Sequence, residues 1–206
     1  MVRHFPKVIV LVVALAFGGG AAVPAAATDP AVGAKKFIES LADKAVKSLA
    51  APDIDTAERR KRFRVLMLEN FDFKRIAAWV LGRYWRGASE AEKTEYLKLF
   101  EDMLVLVYAD RFAKYSGESL SVGISEQRGD DVLVHSEIIR PGGLKPVEVA
   151  WRVSATDSNF KIIDVMVEGL SMGITQQKEF ASVIRQNGNG VQGLLDELKK
   201  RIAANS

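Results

Sequence analysis

An α+β fold, with a curved antiparallel sheet of four strands covered on one face by helices, is what this sequence predicts. Three observations carry it. Apolar residues recur at helical spacing through residues 30–115, four runs of alternating apolar and polar residues follow between 119 and 168, and two more helical stretches close the chain. The links between the four runs are short, which makes neighbouring strands antiparallel.

The first 27 residues read as a secretory signal. Arg3, His4 and Lys7 make a basic start, an apolar run fills 8–17, and Ala25-Ala26-Ala27 supplies small residues for cleavage near Ala27. The apolar run is about half the ~20 residues of a spanning helix, and Gly18-Gly19-Gly20 interrupts it. Residues 28–206 then form a single domain, long enough for a real core without disulfides, and the chain has no cysteine. The leader holds two of the 29 basic residues, which leaves 27 against 26 acidic. That near-balance argues against a nucleic-acid partner, which asks for a concentrated basic face. The basic run Arg59-Arg60-Lys61-Arg62-Phe63-Arg64 reads as the solvated side of an amphipathic helix, with contact to anionic lipid or an acidic partner as the competing reading.

Asp29 is placed to cap a first helix that opens at Pro30 and carries Phe37, Ile38, Leu41, Ala45 and Leu49 on one side until Ala51-Pro52 stops it. Asp55 with Glu58 makes a capping pattern for a second helix, whose apolar side holds Phe63, Leu66 and Met67. A short third helix covers 73–81 and ends at Gly82, which tolerates a left-handed turn. Ser89 with Glu92 opens a long helix, from Glu90 to about Tyr115. Its unbroken apolar run from Met103 to Tyr108 asks for enclosure on most sides, and the apolar face of the sheet is the expected partner.

The strands fall at 119–126, 132–140, 145–155 and 160–168, between turn clusters at Gly129-Asp130, Pro141-Gly142-Gly143 and 156–159. In the third, Val147, Val149, Trp151 and Val153 share a face opposite Glu148 and Arg152; in the fourth, Ile163, Val165 and Val167 oppose Asp164 and Glu168. The closing helices span about 175–187 and 191–203.

Catalytic chemistry finds little to work with. His4 leaves with the leader, so His135 stands alone, and the usual zinc and nucleophile-base sets cannot be built. Gly188-Asn189-Gly190-Val191-Gln192-Gly193 spells a dinucleotide fingerprint but follows a helix near the chain end, where a helix-to-helix turn is expected. Ser158-Asn159-Phe160-Lys161 has Ser-x-x-Lys spacing yet leads into a strand. Asp130-Asp131, Asp53 and Asp55 read as turn and cap carboxylates. No catalytic residue, metal ligand or cofactor is assigned, and the chain is read as no enzyme; a small envelope lipid hydrolase working with Asp, Glu, Tyr and Lys is the runner-up, and a protein-binding adaptor with a filled core is a third reading.

Four segments in succession resemble one family. They are Asn70-Phe71-Asp72-Phe73-Lys74-Arg75-Ile76-Ala77 with Leu81-Gly82 and Trp85; Tyr108-Ala109-Asp110; Ile163-Asp164-Val165-Met166-Val167-Glu168-Gly169-Leu170-Ser171; and the 180–198 end. The chain is similar over nearly all of its length after the leader to the periplasmic phospholipid-binding component of the Mla lipid-transport system, the toluene-tolerance family. The resemblance implies a monomeric periplasmic carrier without cofactor, with phospholipid as cargo, its acyl tails in an apolar pocket between sheet and helices. It implies exchange with an inner-membrane ABC transporter complex through its MCE-domain subunit, and with an outer-membrane lipoprotein-porin complex. Related hopanoid-type carriers share the architecture. One departure stands out: where relatives carry a Tyr-Arg pair ahead of the aromatic of the penultimate helix, this chain has Thr175-Gln176-Gln177-Lys178 before Phe180, so headgroup contacts of that pair are not carried over.

Physical chemistry supplies the need for such a carrier. A diacyl lipid has about 30 methylenes, and at ~0.8 kcal/mol each its passage through water costs on the order of 20 kcal/mol. The pocket walls are assigned to Leu104, Val107, Tyr108 and Phe112 of the long helix and Val149 and Trp151 of the third strand. Val165, Val167 and Leu170 from the fourth strand and its exit, and Phe73, Ile76 and Val80 of the third helix, complete the set. A dry, filled core needs the same residue types, and only the family resemblance tips the balance toward a lipid pocket.

Overall fold

The structure, a computed structural model, describes residues 29–156 and 159–205. The expected leader with its cleavage point, and Ser158 of the Ser-x-x-Lys pattern, lie outside the described residues.

The helical first half follows its local signals. Helix α1 spans Pro30–Leu49, with the Asp29 carboxylate accepting from Ala31 N at 2.9 Å. Helix α2, Thr56–Asn70, is capped by Asp55, which accepts from Glu58 N at 2.7 Å. Helix α3, Phe73–Leu81, stops at Gly82 with φ 61°, a conformation costly for any residue with a Cβ. A five-residue helix, α4 at Arg83–Gly87, follows at once; it is too short for periodicity to register in the sequence. Helix α5, Glu90–Ala109, has a complete capping box: Ser89 Oγ accepts from Glu92 N at 3.2 Å, and Glu92 Oε2 accepts from Ser89 N at 2.8 Å. It ends earlier than expected. Beyond Asp110 the chain tightens into a 3₁₀ turn at Phe112–Lys114, and Asp110 itself is paired with Arg60 of α2 at 3.0 Å.

The sheet is a meander of β1 (Ser119–Arg128), β2 (Asp131–Ile139), β3 (Val147–Thr156), β4 (Asn159–Val167) and a two-residue β5 (Leu170–Ser171), each antiparallel to the next. The fifth strand adds to the expected four. It is folded back by Glu168 and Gly169, both at positive φ (48° and 76°), the geometry of a tight hairpin turn. Ser171 then caps α6 (Met172–Asn187), which begins three residues ahead of the expected start: its hydroxyl accepts from Ile174 N at 3.0 Å and donates to Asp164 Oδ2 at 2.6 Å. The left-handed Gly188 leads into α7 (Gly190–Asn205).

Two expectations about the sheet are corrected. Its apolar face is covered by α1, not by the long helix: Ala34 and Ile38 pack with Val132, Val134, Val153 and Ile162, and Phe37 stacks on Phe160 at 5.9 Å. Gly33 permits this close approach, because a Cβ there would stand 2.3 Å from the Phe160 ring. The second correction concerns β4. A bulge places Arg152 opposite Asp164 but Val153 opposite Ile162, so Ile163 is the extra residue. Strict alternation is broken, and Ile162 joins Val165 in the α1-facing cluster where Ile163 was expected.

Helix α5 packs instead in a helical core. Tyr96 and Phe100 are stacked at 5.6 Å and met edge-on by Phe180 of α6, while Leu194, Leu195 and Leu198 of α7 close the other side. The buried Tyr96 hydroxyl donates to Ala77 O at 3.1 Å, and burial pushes its pKa well up. A third cluster, Met67 with Val105 and Ala109, joins α2 to α5, and Phe71 belongs to both this cluster and the α1–sheet cluster.

The basic run is not a solvated stripe. Arg59 is buried and donates to Leu49 O at 2.9 Å and Ile54 O at 3.2 Å; Arg62 pairs with Glu58 at 2.8 Å; Arg64 reaches Glu101 and Asp102 at 2.6 and 2.5 Å. With Arg60 on Asp110, these guanidiniums fasten α2 to α1 and α5. The carboxylate of Asp131, expected in a turn, is likewise buried at the start of β2 and bound by Arg152 at 2.8 and 2.6 Å.

Candidate functional site

The apolar run of α5 does not vanish into the core. Met103 and Val105 are buried on opposite flanks, against the helical core and against α2. Val107, 44% exposed, turns instead into a cavity of about 430 Å³. Leu104, Leu106, Val107 and Tyr108 line one side of it together with Met103, and Ile202 of α7 adds to the apolar wall. Its polar lining is Asp110, Gln176, Glu179, Arg201 and Asn205.

That polar part is tied together. The guanidinium of Arg201 donates through Nε to Glu197 at 2.8 Å and through Nη1 to Glu179, while Gln176 donates to the second oxygen of Glu179 at 3.0 Å. The bond from Arg201 holds the Glu197 carboxyl below the ordinary glutamate value, and the two carboxylates raise that of Arg201. Across from them, Asp110 is held by Arg60, and Arg111 lies over the Tyr108 ring at 5.0 Å. The cavity is therefore apolar along α5 and carries fixed charge at its edge.

Of the residues assigned from sequence, Leu104, Val107 and Tyr108 come together at this cavity. Phe112 stands on the 3₁₀ turn, its ring 6.4 Å from Phe63. Trp151 and Val165 are register partners on the apolar face of the sheet, half-buried beside the α1 cluster, and Val149 pairs with Val167 one step along. Phe73, Ile76 and Val80 pack in or against the helical core, with Phe73 stacked on Phe100 at 5.9 Å. Leu170, on β5, is 66% exposed. The structure thus places ten of the twelve residues in three regions, the α5 wall, the sheet face and the helical core, with Phe112 on the 3₁₀ turn and Leu170 on β5 apart from them. Sequence reasoning missed Gln176, Glu179, Arg201 and Asn205; the only signal was the polar stretch 175–178. Its neighbour Gln177 has a structural role, donating to Trp79 O at 2.6 Å.

His135 faces away from α1, and its Nε2 lies 3.0 Å from Glu126 Oε1. Among the described residues no group of three or more His, Asp or Glu side chains is placed to hold a metal ion, and no helix is long and apolar enough to cross a membrane.

Comparison with known proteins adds three findings. The model of the MlaC protein family matches residues 39–200. The intermembrane phospholipid transport system binding protein MlaC of Haemophilus influenzae is 22% identical over 125 residues, which are 59% of this chain and 58% of that relative's length. A phospholipid-binding protein from Ralstonia solanacearum, solved in complex with a phospholipid, superimposes with a TM-score of 0.72 at 24% identity, covering 85% of this chain and 98% of that one. The last is a likeness of fold.

Proposed function

The chain belongs to the MlaC family, and from that premise we propose that it is a periplasmic phospholipid carrier, without catalytic activity, that shuttles lipid between inner- and outer-membrane complexes. The observation that carries the reading is the α5 wall: Leu104, Leu106, Val107 and Tyr108 line a cavity of about 430 Å³. An apolar wall left facing open space forfeits burial worth roughly 25 cal/mol per Å², and a lipid tail restores it. The volume lies within the range of about 300–1,000 Å³ usual for small-ligand pockets.

In this reading the acyl tails run along α5 and toward the half-buried sheet residues Trp151 and Val165, and the headgroup stays near Gln176, Glu179 and Arg201. Of these, Gln176 lies in the 175–178 stretch, which stands where relatives carry a Tyr-Arg pair. The names of the two relatives above, one a phospholipid transport binding protein and one crystallised with phospholipid, support the same cargo. The route of the lipid between the two membranes is part of the proposal.

Native mass spectrometry of the purified protein tests it. Near-stoichiometric phospholipid, released on denaturation and unmodified, is the expected result. Protein that stays empty after exposure to phospholipid liposomes would refute the carrier, and release of free fatty acid would favour a hydrolase.

A further inference from the structure

Most of the large hydrophobic side chains left exposed among the described residues come from one end of the molecule: Val107, Tyr115, Ile139, Leu144, Leu170 and Ile174. The strand register gathers them. Ile139 closes β2 opposite Ser119, the first residue of β1, and Leu170 of β5 pairs with Val167, which pairs in turn with Val149 near the start of β3. The link between β2 and β3, which carries Leu144, touches the β4–β5 turn through Lys145 and Glu168 at 3.9 Å. It also meets the segment after the 3₁₀ turn, where a Cβ on Gly117 would stand 4.0 Å from Pro141. Ile174 lies in the first turn of α6, two residues ahead of Gln176, which lines the α5 cavity together with Val107. The exposed apolar end thus runs up to the cavity.

Shape and charge distinguish this end. Leu144, 58% exposed, follows Gly142 and Gly143, and Leu170, 66% exposed, follows Gly169; all three glycines have positive φ, 73°, 71° and 76°. Both leucines therefore stand on tight turns, and neither lines the α5 cavity. Residues 111–118, 139–145 and 168–174 hold Arg111, Lys114, Arg140 and Lys145 against Glu118 and Glu168, a net charge of +2, whereas residues 28–206 as a whole carry +1. Both carboxylates are engaged by backbone: Glu118 accepts from Ser116 N at 2.8 Å and Glu168 from Glu148 N at 3.0 Å. Glu137 and Glu148, register partners, lie further in, on the sheet face opposite Val147 and Val149. The centre of a protein–protein interface is depleted of charge, yet here Lys145 directly follows Leu144. Aliphatic tips set among basic side chains match an anionic bilayer, where apolar burial and attraction to the headgroups add.

We propose that this end of the molecule docks on an anionic phospholipid bilayer, with Leu144 and Leu170 entering the headgroup layer and Lys114, Arg140 and Lys145 facing the lipid phosphates. The proposal rests on the carrier reading and adds the surface on which the cavity meets its lipid. A lipid passing between the bilayer and the α5 wall then crosses an apolar end in place of open water.

The test is sedimentation of the purified protein with phosphatidylcholine vesicles, with and without phosphatidylglycerol, alongside native mass spectrometry of the same preparation. Binding that requires phosphatidylglycerol and weakens with added salt is the expected result. Leu144→Ser/Leu170→Ser is expected to lower it about tenfold or more, and Lys114→Gln/Lys145→Gln by a similar factor. Val65→Ser/Leu68→Ser, which removes an exposed apolar pair on α2, is expected to bind as the parent does. Binding to neither vesicle, or binding indifferent to phosphatidylglycerol, overturns the proposal. So does a leucine double variant that melts normally and binds undiminished, or an α2 control that loses as much. A dimer in sedimentation velocity that the leucine substitutions dissolve, without vesicle binding, gives the surface to a second copy and also overturns it. Lipid-loaded protein that ignores vesicles strikes the docking face and leaves the carrier reading standing, whereas vesicle binding by empty protein supports the face and strikes the carrier reading.

Discussion

The indole Nε1 of Trp151 donates to Ser136 Oγ at 2.9 Å on the apolar face of the sheet, and that hydroxyl donates in turn to Val149 O at 2.9 Å. A single buried serine thus satisfies the polar edge of the aromatic ring and bonds onward to the neighbouring strand. Ser136→Ala is expected to cost about 1 kcal/mol or more in urea unfolding, since it strands the indole N–H. In a Trp151→Phe background the same substitution should cost clearly less; an equal cost in both backgrounds would show that the pair is not its origin.

Arg59 and Lys61 lie two residues apart in one basic run but differ in role. Arg59→Met leaves Leu49 O and Ile54 O without their donor beneath a residue only 8% exposed, and a loss of about 2 kcal/mol or more is expected. Lys61→Met, on the exposed side, should stay within about 0.5 kcal/mol. Matching losses in chemical denaturation would contradict the assignment of the run to internal fastening.

Val107 and Leu170 test the placement of cargo. Val107→Glu puts a charge into the cavity wall and is expected to abolish lipid retention in native mass spectrometry, because an unpaired carboxylate among tails is costly. Leu170→Glu, on the exposed β5, should retain lipid. The reverse pattern would move the pocket to the sheet exit.

Acid stability should follow the α5 cap. Hydrogen bonds from the Ser89 backbone and hydroxyl lower the folded pKa of Glu92 below its ordinary 4.5. Stability from a depressed carboxylate is fully present above the unfolded value and is lost as pH falls through the folded one, so the loss belongs below about pH 4.5. Glu92→Gln is expected to flatten part of that acid limb in thermal melts recorded as a function of pH, and an unchanged limb would remove Glu92 from the account.

Where local chemistry decides structure, the sequence was legible. Helix α3 ends at Gly82 because its φ is 61°, and α5 begins at its capping box because Ser89 and Glu92 carry the whole motif within four residues. What escaped was settled between distant residues. The Ile163 bulge depends on the register against Arg152, the choice of α1 over α5 as sheet cover depends on Gly33 meeting Phe160, and Arg64 finds its carboxylates 37 and 38 residues on. For the candidate site, the apolar wall could be read from the run at Leu104–Tyr108, since an α-helix with one buried face has no use for it. The edge could not: Gln176, Glu179 and Arg201 look like ordinary surface residues until α6 and α7 bring them to α5.

The strand order, in which every strand lies beside its neighbour in the chain, bears on how the molecule assembles. Each hairpin closes a loop of few residues, whereas bringing α7 onto α5 closes one of some 80. Loop entropy favours the former, so the meander is expected to form early and the α5–α7 seam, with the cavity along it, to close last. Kinetic amide-exchange labelling during refolding would then protect β2 and β3 before α7.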